Sequence, residues 1–165
     1  MTRIRAGFTL LEMLVVLGVM GILLAIGIPM LRPPSSYLFA SDLKAMIQQA
    51  RFEAIKRNRP VAVVWDSVNK TYTTRFDTTN TTFSNPSSAC TSASPTILNT
   101  KRATDYRNLN VSTNMSGSGI VWLPTGLPKP CGTGVLNSTT TVNDGRAKYN
   151  VVVSLGGRVK VEKPS

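Results

Sequence analysis

An apolar segment near the N-terminus holds one acidic side chain, and this combination restricts the chain more than any other feature. From Phe8 to Leu31 the sequence runs for 24 residues, and Glu12 is the only charged side chain among them. As one helix the segment would be about 36 Å long, enough to cross a bilayer core of about 30 Å. Because Arg3 and Arg5 precede it, the short N-terminus is expected to stay in the cytoplasm and the remainder to be exported.

Two common targeting segments share this apolar pattern but leave Glu12 without a role. A secretory signal peptide has a basic start, an apolar middle and small residues at its cleavage site, here Ala25-Ile26-Gly27. The run is longer than a signal peptide needs, and an acid early in it weakens insertion. A plain membrane anchor would carry the carboxylate at a cost of about 2.5 to 3.5 kcal/mol. A functional role for Glu12 is therefore favoured.

The residues around this carboxylate resemble a known processing signal. Gly7-Phe8-Thr9-Leu10-Leu11-Glu12 is similar to the N-terminal signal of type IV pilins and type II secretion pseudopilins. The resemblance implies that a membrane prepilin peptidase cuts between Gly7 and Phe8, and that the new N-terminal Phe8 is methylated. It also implies that Glu12 pairs with the N-terminal amine of a neighbouring subunit during assembly, since a buried carboxylate is tolerated when it is paired.

Charge and cysteine content limit what the rest of the chain can do. Without Arg3, Arg5 and Glu12, 17 basic and 7 acidic side chains remain, a balance of +10. The chain has no histidine, the commonest general base and metal ligand, and no acid pair stands at catalytic spacing. We therefore expect no enzymatic activity, no cofactor and no metal site. Cys90 and Cys131 are expected to form a disulfide outside the cytoplasm, with two free thiols as the alternative.

The segment after the apolar run predicts one helix followed by strands. Apolar residues recur at spacings of three and four over residues 38–58, which predicts a helix that packs on a sheet and ends before Pro60. Its outward face is expected to carry Lys44, Gln48, Arg51 and Lys56. Strands are predicted at residues 61–65, 71–76, 109–113, 119–123, 148–155 and 158–162. Residues 77–96 are rich in Thr, Ser, Asn and Pro and predict a loop, which Cys90 tethers to the sheet.

The order of these elements, a helix and then hairpins, indicates an α+β fold. Three segments, "QQARFEAIKRNRPVAV", "IVWLPTGLP" and "VVVSLGGRVKVEK", resemble landmarks of the GspH/FimT family of minor pilins and pseudopilins. The resemblance implies a long N-terminal helix, transmembrane in its first half and amphipathic in its second, packed on an antiparallel β-sheet head. The expected division is a leader at residues 1–7, a transmembrane and assembly helix at 8–31 and a periplasmic head at 32–165.

The same resemblance suggests a task for the C-terminal strand. FimT members are linked to DNA uptake, and a Gly-Arg-x-Arg pattern near their C-terminus contacts DNA; this chain has Gly157-Arg158-Val159-Lys160 there. The candidate set for sequence-independent contacts with DNA phosphates comprises Arg146, Lys148, Arg158, Lys160 and Lys163. The alternative is an edge strand that charge keeps soluble. Two other basic groups compete for the contact, Lys56/Arg57/Arg59 and Lys101/Arg102/Arg107.

Together these expectations describe a minor pilin of a type IV pilus machine whose head either captures double-stranded DNA during natural transformation or primes pilus assembly. It would reside in the bacterial inner membrane with one span and a periplasmic head before entering the filament, and would contact other pilins through its N-terminal helix. The alternative is a GspH-like minor pseudopilin at the pseudopilus tip of a type II secretion system, whose head binds proteins. A purely structural pilus subunit would use Glu12 but not the basic face.

Overall fold

The computed structural model describes residues 9–30, 33–78, 87–92, 94–133, 136 and 138–164. The chain divides after Pro33 into two compact units. Gly7 and Phe8, which form the predicted cleavage site, lie outside the described residues.

The first unit contains helix α1, Leu10–Met30. Thr9 caps its N-terminus, because the backbone N–H of Glu12 donates to the Thr9 hydroxyl at 3.2 Å and that of Met13 to the Thr9 carbonyl at 3.2 Å. Within the described ranges, no helix is both long enough and apolar enough to cross a membrane. The predicted span extends to Phe8 and Leu31, which lie outside those ranges.

Helix α2, Ser35–Arg57, opens the second unit and packs on both of its sheets. Its buried apolar stripe consists of Phe39, Ala40, Leu43, Met46, Ile47, Ala50 and Ala54. The helix ends where Asn58 adopts the left-handed conformation, with φ of 50°. The N–H of Asn58 donates to the Ile55 carbonyl at 3.2 Å, and Pro60 prevents the helix from continuing. The helix is therefore the predicted one, although it starts three residues earlier, at Ser35.

The strands of the second unit are β1 Val61–Asp66, β2 Thr71–Phe76, β3 Thr96–Arg102, β4 Asn110–Thr113, β5 Gly119–Trp122, β6 Pro128–Pro130, β7 Ser138–Asn143, β8 Lys148–Val153 and β9 Val159–Glu162. They form a five-stranded sheet in the order β3-β2-β1-β5-β6 and a four-stranded sheet in the order β4-β7-β8-β9. All pairings between these strands are antiparallel. A short helix, α3, Ser88–Thr91, lies between β2 and β3.

The core lies where α2 meets the inner faces of the two sheets. Trp122, Tyr72 and Phe39 are its largest fully buried side chains. The hydroxyl groups of Tyr72 on β2 and Thr140 on β7 are 2.8 Å apart, so a buried hydrogen bond joins the two sheets. Burial raises the pKa of Tyr72 to about 12. Along β2 and β7 alternate residues are buried, so the other residues form the outward faces.

The structure confirms the α+β class, and each predicted strand is present with ends shifted by a few residues. The predicted strand at residues 148–155 ends at Val153, because the chain turns back between Ser154 and Arg158. The sequence patterns did not predict β3, β6, β7 or α3. Both α3 and the start of β3 fall within the predicted loop at residues 77–96, whose residues 79–86 and 93 lie outside the described ranges.

Candidate functional site

Two of the five predicted DNA contacts lie together at the edge of the four-stranded sheet. Arg158 directly precedes β9 and Lys160 lies within it, and both are exposed because the intervening Val159 points into the core. The Arg158 N–H donates to the Ser154 hydroxyl at 3.2 Å, and the Arg158 carbonyl accepts from the Ser154 N–H at 3.0 Å. The turn therefore fixes the backbone from which Arg158 extends.

An acidic neighbour reduces the positive charge of this edge. The Nζ atom of Lys160 lies 3.9 Å from the carboxylate of Glu162, and both side chains are about half exposed. An ion pair at this exposure contributes little to stability and is screened by salt. A phosphate group that contacts Lys160 would therefore compete with Glu162 at a small cost.

The other three candidates, Arg146, Lys148 and Lys163, lie at the opposite end of β8. Lys148 is its first residue, whereas Arg158 follows the turn at its far end, about 20 Å away at strand spacing. Lys163 follows Glu162, whose partner on β8 is Asn150, so it lies near Lys148. The five candidates therefore do not form one continuous patch, because consecutive hairpin turns lie at opposite ends of a strand.

The turn that carries Arg146 also holds the start of α2. The carboxylate of Asp144 accepts the Ser36 N–H at 3.1 Å, and the N–H groups of Arg146 and Ala147 at 2.9 Å each. Partial burial raises the pKa of Asp144, but the backbone donors of Ala147, Ser36 and Arg146 outweigh this and lower it to about 2. Sequence reasoning missed this residue: Asn143-Asp144-Gly145 is a turn pattern, but it gives no indication of a partner 108 positions away.

The three segments that resemble family landmarks contact one another through Arg51, Trp122 and Gly157. The Arg51 Cζ atom lies 5.6 Å from the centroid of the Trp122 ring, and its Nη1 donates to the Gly157 carbonyl at 3.4 Å. Arg51 was expected to face outward. The structure half-buries it instead, because an aromatic face and a backbone carbonyl together provide a site for the guanidinium.

Exposed apolar side chains surround this contact. Phe52 and Ile55 on α2 are 72% and 48% exposed, and Leu127 and Leu155 in the neighbouring turns are 51% and 63% exposed. A Cβ atom placed on Gly126, the residue before Leu127, would lie 3.3 Å from the Cδ1 atom of Ile55. Ile55 is therefore a neighbour of the turn that contains Leu127. Clustered apolar exposure of this kind is typical of protein-binding surfaces.

Members of both competing basic groups have partners within the head. Lys101 Nζ lies 3.1 Å from the Asp42 carboxylate. Arg57 Nε lies 2.5 Å from Glu53, and Arg59 donates to a backbone carbonyl at 3.1 Å. Because these side chains already have partners within the head, they are less available to bind an external anion.

The predicted disulfide between Cys90 and Cys131 is present, with Cα atoms 5.8 Å apart. It fastens α3 to the outer face of the five-stranded sheet, where Ala89 and Cys90 pack on Ala62 and Val121. The Arg75 guanidinium donates to the Cys90 carbonyl, and burial lowers the pKa of Arg75. Across the described part of the chain, no group of three or more Cys, Asp or Glu side chains could hold a metal ion.

Two family models match the chain. That of the type II transport protein GspH matches residues 40–157, and that of the prokaryotic N-terminal methylation motif matches residues 2–28. The pilin-like protein PilA1 of Thermus thermophilus is 46% identical over 56 residues, which are 33% of this chain and 36% of PilA1. The chain thus spans about a third of the length of this curated relative.

Solved structures show the same fold at low identity. The type IV minor pilin FimU of Pseudomonas aeruginosa is 18% identical with a TM-score of 0.54, over 74% of this chain and 84% of FimU. The minor pseudopilin EpsH from the type 2 secretion system of Vibrio cholerae is 11% identical with a TM-score of 0.56, over 79% of this chain and 98% of EpsH. Each likeness is one of fold, a helix with antiparallel sheets as in minor pilins.

Proposed function

Because the chain belongs to the family of the type II transport protein GspH and carries the N-terminal methylation motif, we propose that it is a minor pilin of a type IV pilus machine whose head contacts DNA. Members of this family are pilins and pseudopilins, structural subunits that assemble with other pilins. Beyond membership of the family, we propose that the machine is a type IV pilus and that the ligand of the head is DNA. The balance of +10 on the chain beyond Glu12 favours an anionic ligand.

The proposal includes processing and anchoring of the N-terminus. A prepilin peptidase removes residues 1–7, Phe8 is methylated, and the segment 8–31 holds the subunit in the inner membrane with the head, 32–165, in the periplasm. The match to the N-terminal methylation motif at residues 2–28 supports this part. A neighbouring subunit's N-terminal amine would then meet Glu12 during assembly.

The exposed pair Arg158 and Lys160 carries the DNA proposal. Both side chains extend from one face of an edge strand, and two hydrogen bonds to Ser154 fix the backbone of the first. The guanidinium supplies a planar fork that binds phosphate through two hydrogen bonds, and the ammonium of Lys160 supplies a second charge. Such contacts depend on salt and not on DNA sequence.

Binding of duplex DNA by the full chain in nonionic detergent micelles, over a salt series, tests this site. The double variant Arg158→Ala/Lys160→Ala is expected to lose at least about tenfold in affinity, and its salt slope is expected to fall by about 2. Arg102→Ala/Arg107→Ala removes the same charge elsewhere and is expected to bind nearly as wild type. Equal losses in both double variants would mean that net charge alone attracts DNA, which would contradict the proposed site.

A second candidate is a tip pseudopilin of a type II secretion system, and the exposed apolar side chains around Arg51 favour it. Phe52, Ile55, Leu127 and Leu155 offer a surface that fits a protein better than DNA. A photo-crosslinking residue at Phe52, compared with one at the still more exposed Val68, distinguishes the two functions. Crosslinks to another pseudopilin from Phe52 alone, together with no DNA binding at low salt, would favour the second function.

A further inference from the structure

A basic and aromatic surface lies where the start of α2 meets the end of the four-stranded sheet. We define this collar as Tyr37, Leu38, Arg146, Lys148, Tyr149 and Lys163. We propose that the collar binds the headgroups of an anionic lipid membrane and so holds the head against the bilayer before assembly. The inference rests on the anchoring part of the proposed function, and it assigns a role to the three cations that lie away from Arg158.

One ring contact and the turn at Asp144 join the elements that carry the collar. The Tyr37 and Tyr149 rings meet edge to face, with centroids 5.3 Å apart. Asp144 joins the start of α2 to the turn that carries Arg146, because it accepts N–H groups from both. Lys148 begins β8, and Lys163 follows the last residue of the adjacent β9. The collar is therefore built on a helix, a turn and two strand ends that are fixed to one another.

The charges facing the collar are mostly positive. Arg146, Lys148 and Lys163 are exposed, and against them stands the carboxylate of Asp144, which three backbone N–H groups already bind. Glu162 lies on the same sheet face as Lys148, because its partner on β8 is Asn150, but its carboxylate pairs with Lys160. Each basic side chain close to an anionic membrane strengthens attachment about fivefold at moderate salt. The surface is thus complementary to acidic phospholipid headgroups.

The uncharged residues of the collar favour a membrane over DNA. Tyr37 and Leu38 are 44% and 43% exposed, although a helix packed on a sheet usually presents polar side chains to water. Tyrosine is enriched at the membrane interface, where its ring is among acyl chains and its hydroxyl reaches the headgroups. DNA phosphates would attract the three cations but offer nothing to an exposed leucine.

Under the proposed anchoring, the collar follows the membrane segment closely in the sequence. The proposed segment ends at Leu31, and α2 begins at Ser35. Tyr37 and Leu38 thus come shortly after the residues that we propose to lie in the bilayer.

The full chain in vesicles allows a direct test. A fluorophore is attached at Ser41→Cys, on an exposed position one turn from Tyr37, or at Leu155→Cys as a control at the far end of β8. Vesicles contain a lipid with a nitroxide on its headgroup, in a neutral phosphatidylcholine background with or without phosphatidylglycerol. Flotation first establishes that the protein is held by the vesicles, and quenching by the nitroxide then reports how close each label is to the headgroups.

We expect the Ser41→Cys label to be quenched at least about twofold more in anionic than in neutral vesicles, and the difference to vanish at high salt. The triple variant Arg146→Gln/Lys148→Gln/Lys163→Gln should lose the difference, whereas Lys70→Gln/Arg102→Gln/Arg107→Gln, which removes equal charge elsewhere, should keep it. Equal quenching in both vesicle types or equal behaviour of both triple variants would overturn the collar alone. Failure to float would overturn the proposed anchoring and the collar with it.

Discussion

The ring of Trp122 lies 3.0 Å from the position that a Cβ atom would take on Gly157. Trp122 is fully buried at the end of β5, and Gly157 has φ of +80° in the turn before β9. Arg51 covers the same ring from α2 and donates to the Gly157 carbonyl. The glycine that precedes Arg158 is therefore needed for packing and backbone conformation, independently of any contact with DNA.

Alanine at position 157 should destabilise the head. The added methyl group would press on the Trp122 ring, and φ of +80° is unfavourable for any residue with a Cβ atom. We expect Gly157→Ala to lower the free energy of unfolding by about 2 kcal/mol, measured by denaturant titration. Gly156→Ala is the matched control, since a Cβ atom there has no neighbour within 4 Å. Equal costs at both positions would contradict the packing argument.

Local sequence patterns predicted the helices and strands whose apolar residues recur at helical or strand spacing. They did not predict elements in which the burial of a residue depends on partners far away in the sequence. The stripe on α2 and the β-branched run of β1 were sufficient for their assignment. Strand β7, with the sequence STTTVN, was missed because its inward positions include Ser138 and Thr140. Thr140 is fully buried next to the hydroxyl of Tyr72, 68 positions away in the sequence, so no local window indicates its burial.

The candidate site shows the same division. That Arg158 and Lys160 share a face follows from their spacing alone, and the structure has them so. That Arg146 lies at the other end of β8 also follows from the chain order, because the strand predicted at residues 148–155 separates it from Arg158. Because arginine is charged, the sequence predicts an exposed side chain at Arg51. It is half-buried because its guanidinium lies over the ring of Trp122.

The Asp144 carboxylate should make head stability depend on acidity. Its folded-state pKa of about 2 lies below the ordinary value of 3.8, so its stabilisation is complete above the ordinary value and is lost as pH falls through about 2. At pH 7, Asp144→Ala should cost about 1 kcal/mol, because it removes the acceptor for the first turn of α2. Denaturant titrations from pH 7 to pH 2 should show this difference shrinking below pH 4.

A suitable comparison for Asp144 is Asp105→Ala, which removes an exposed acid from a short turn. Its unfolding free energy at pH 7 should stay within about 0.5 kcal/mol of wild type. If the difference in unfolding free energy between wild type and Asp144→Ala stays constant down to pH 2, the charge of the carboxylate does not contribute to the stabilisation.

The disulfide should contribute substantially to head stability, because it closes a loop over a sequence separation of 41. In the chain-entropy model, the double variant Cys90→Ala/Cys131→Ala loses about 3 to 4 kcal/mol of unfolding free energy. Titrations with and without reductant measure this loss in wild type, and the double variant serves as the control that reductant should not affect. If reductant leaves the denaturation midpoint of the wild-type protein unchanged, the disulfide does not contribute to the stability of the head.

Glu12 has two candidate roles, and one substitution separates them. Thr9 is the N-cap of α1 and Glu12 the third residue of its first turn, a capping-box spacing in which glutamine serves as well as glutamate. Pairing with a neighbour's N-terminal amine needs the charge. Glu12→Gln should therefore block incorporation into filaments as completely as Glu12→Ala, while both variants still insert into the membrane. Immunoblots of sheared filaments and of the membrane fraction measure the two steps.

Thr9→Ala completes the comparison, because it removes the hydroxyl that receives the Glu12 N–H and leaves the carboxylate intact. If the charge drives assembly, this variant enters filaments at close to the wild-type level, since the loss of one cap costs only about 1 kcal/mol. If the cap is what matters, Thr9→Ala and Glu12→Ala fail together and Glu12→Gln assembles. The pattern across the three variants thus assigns the carboxylate either to contacts between subunits or to the start of its own helix.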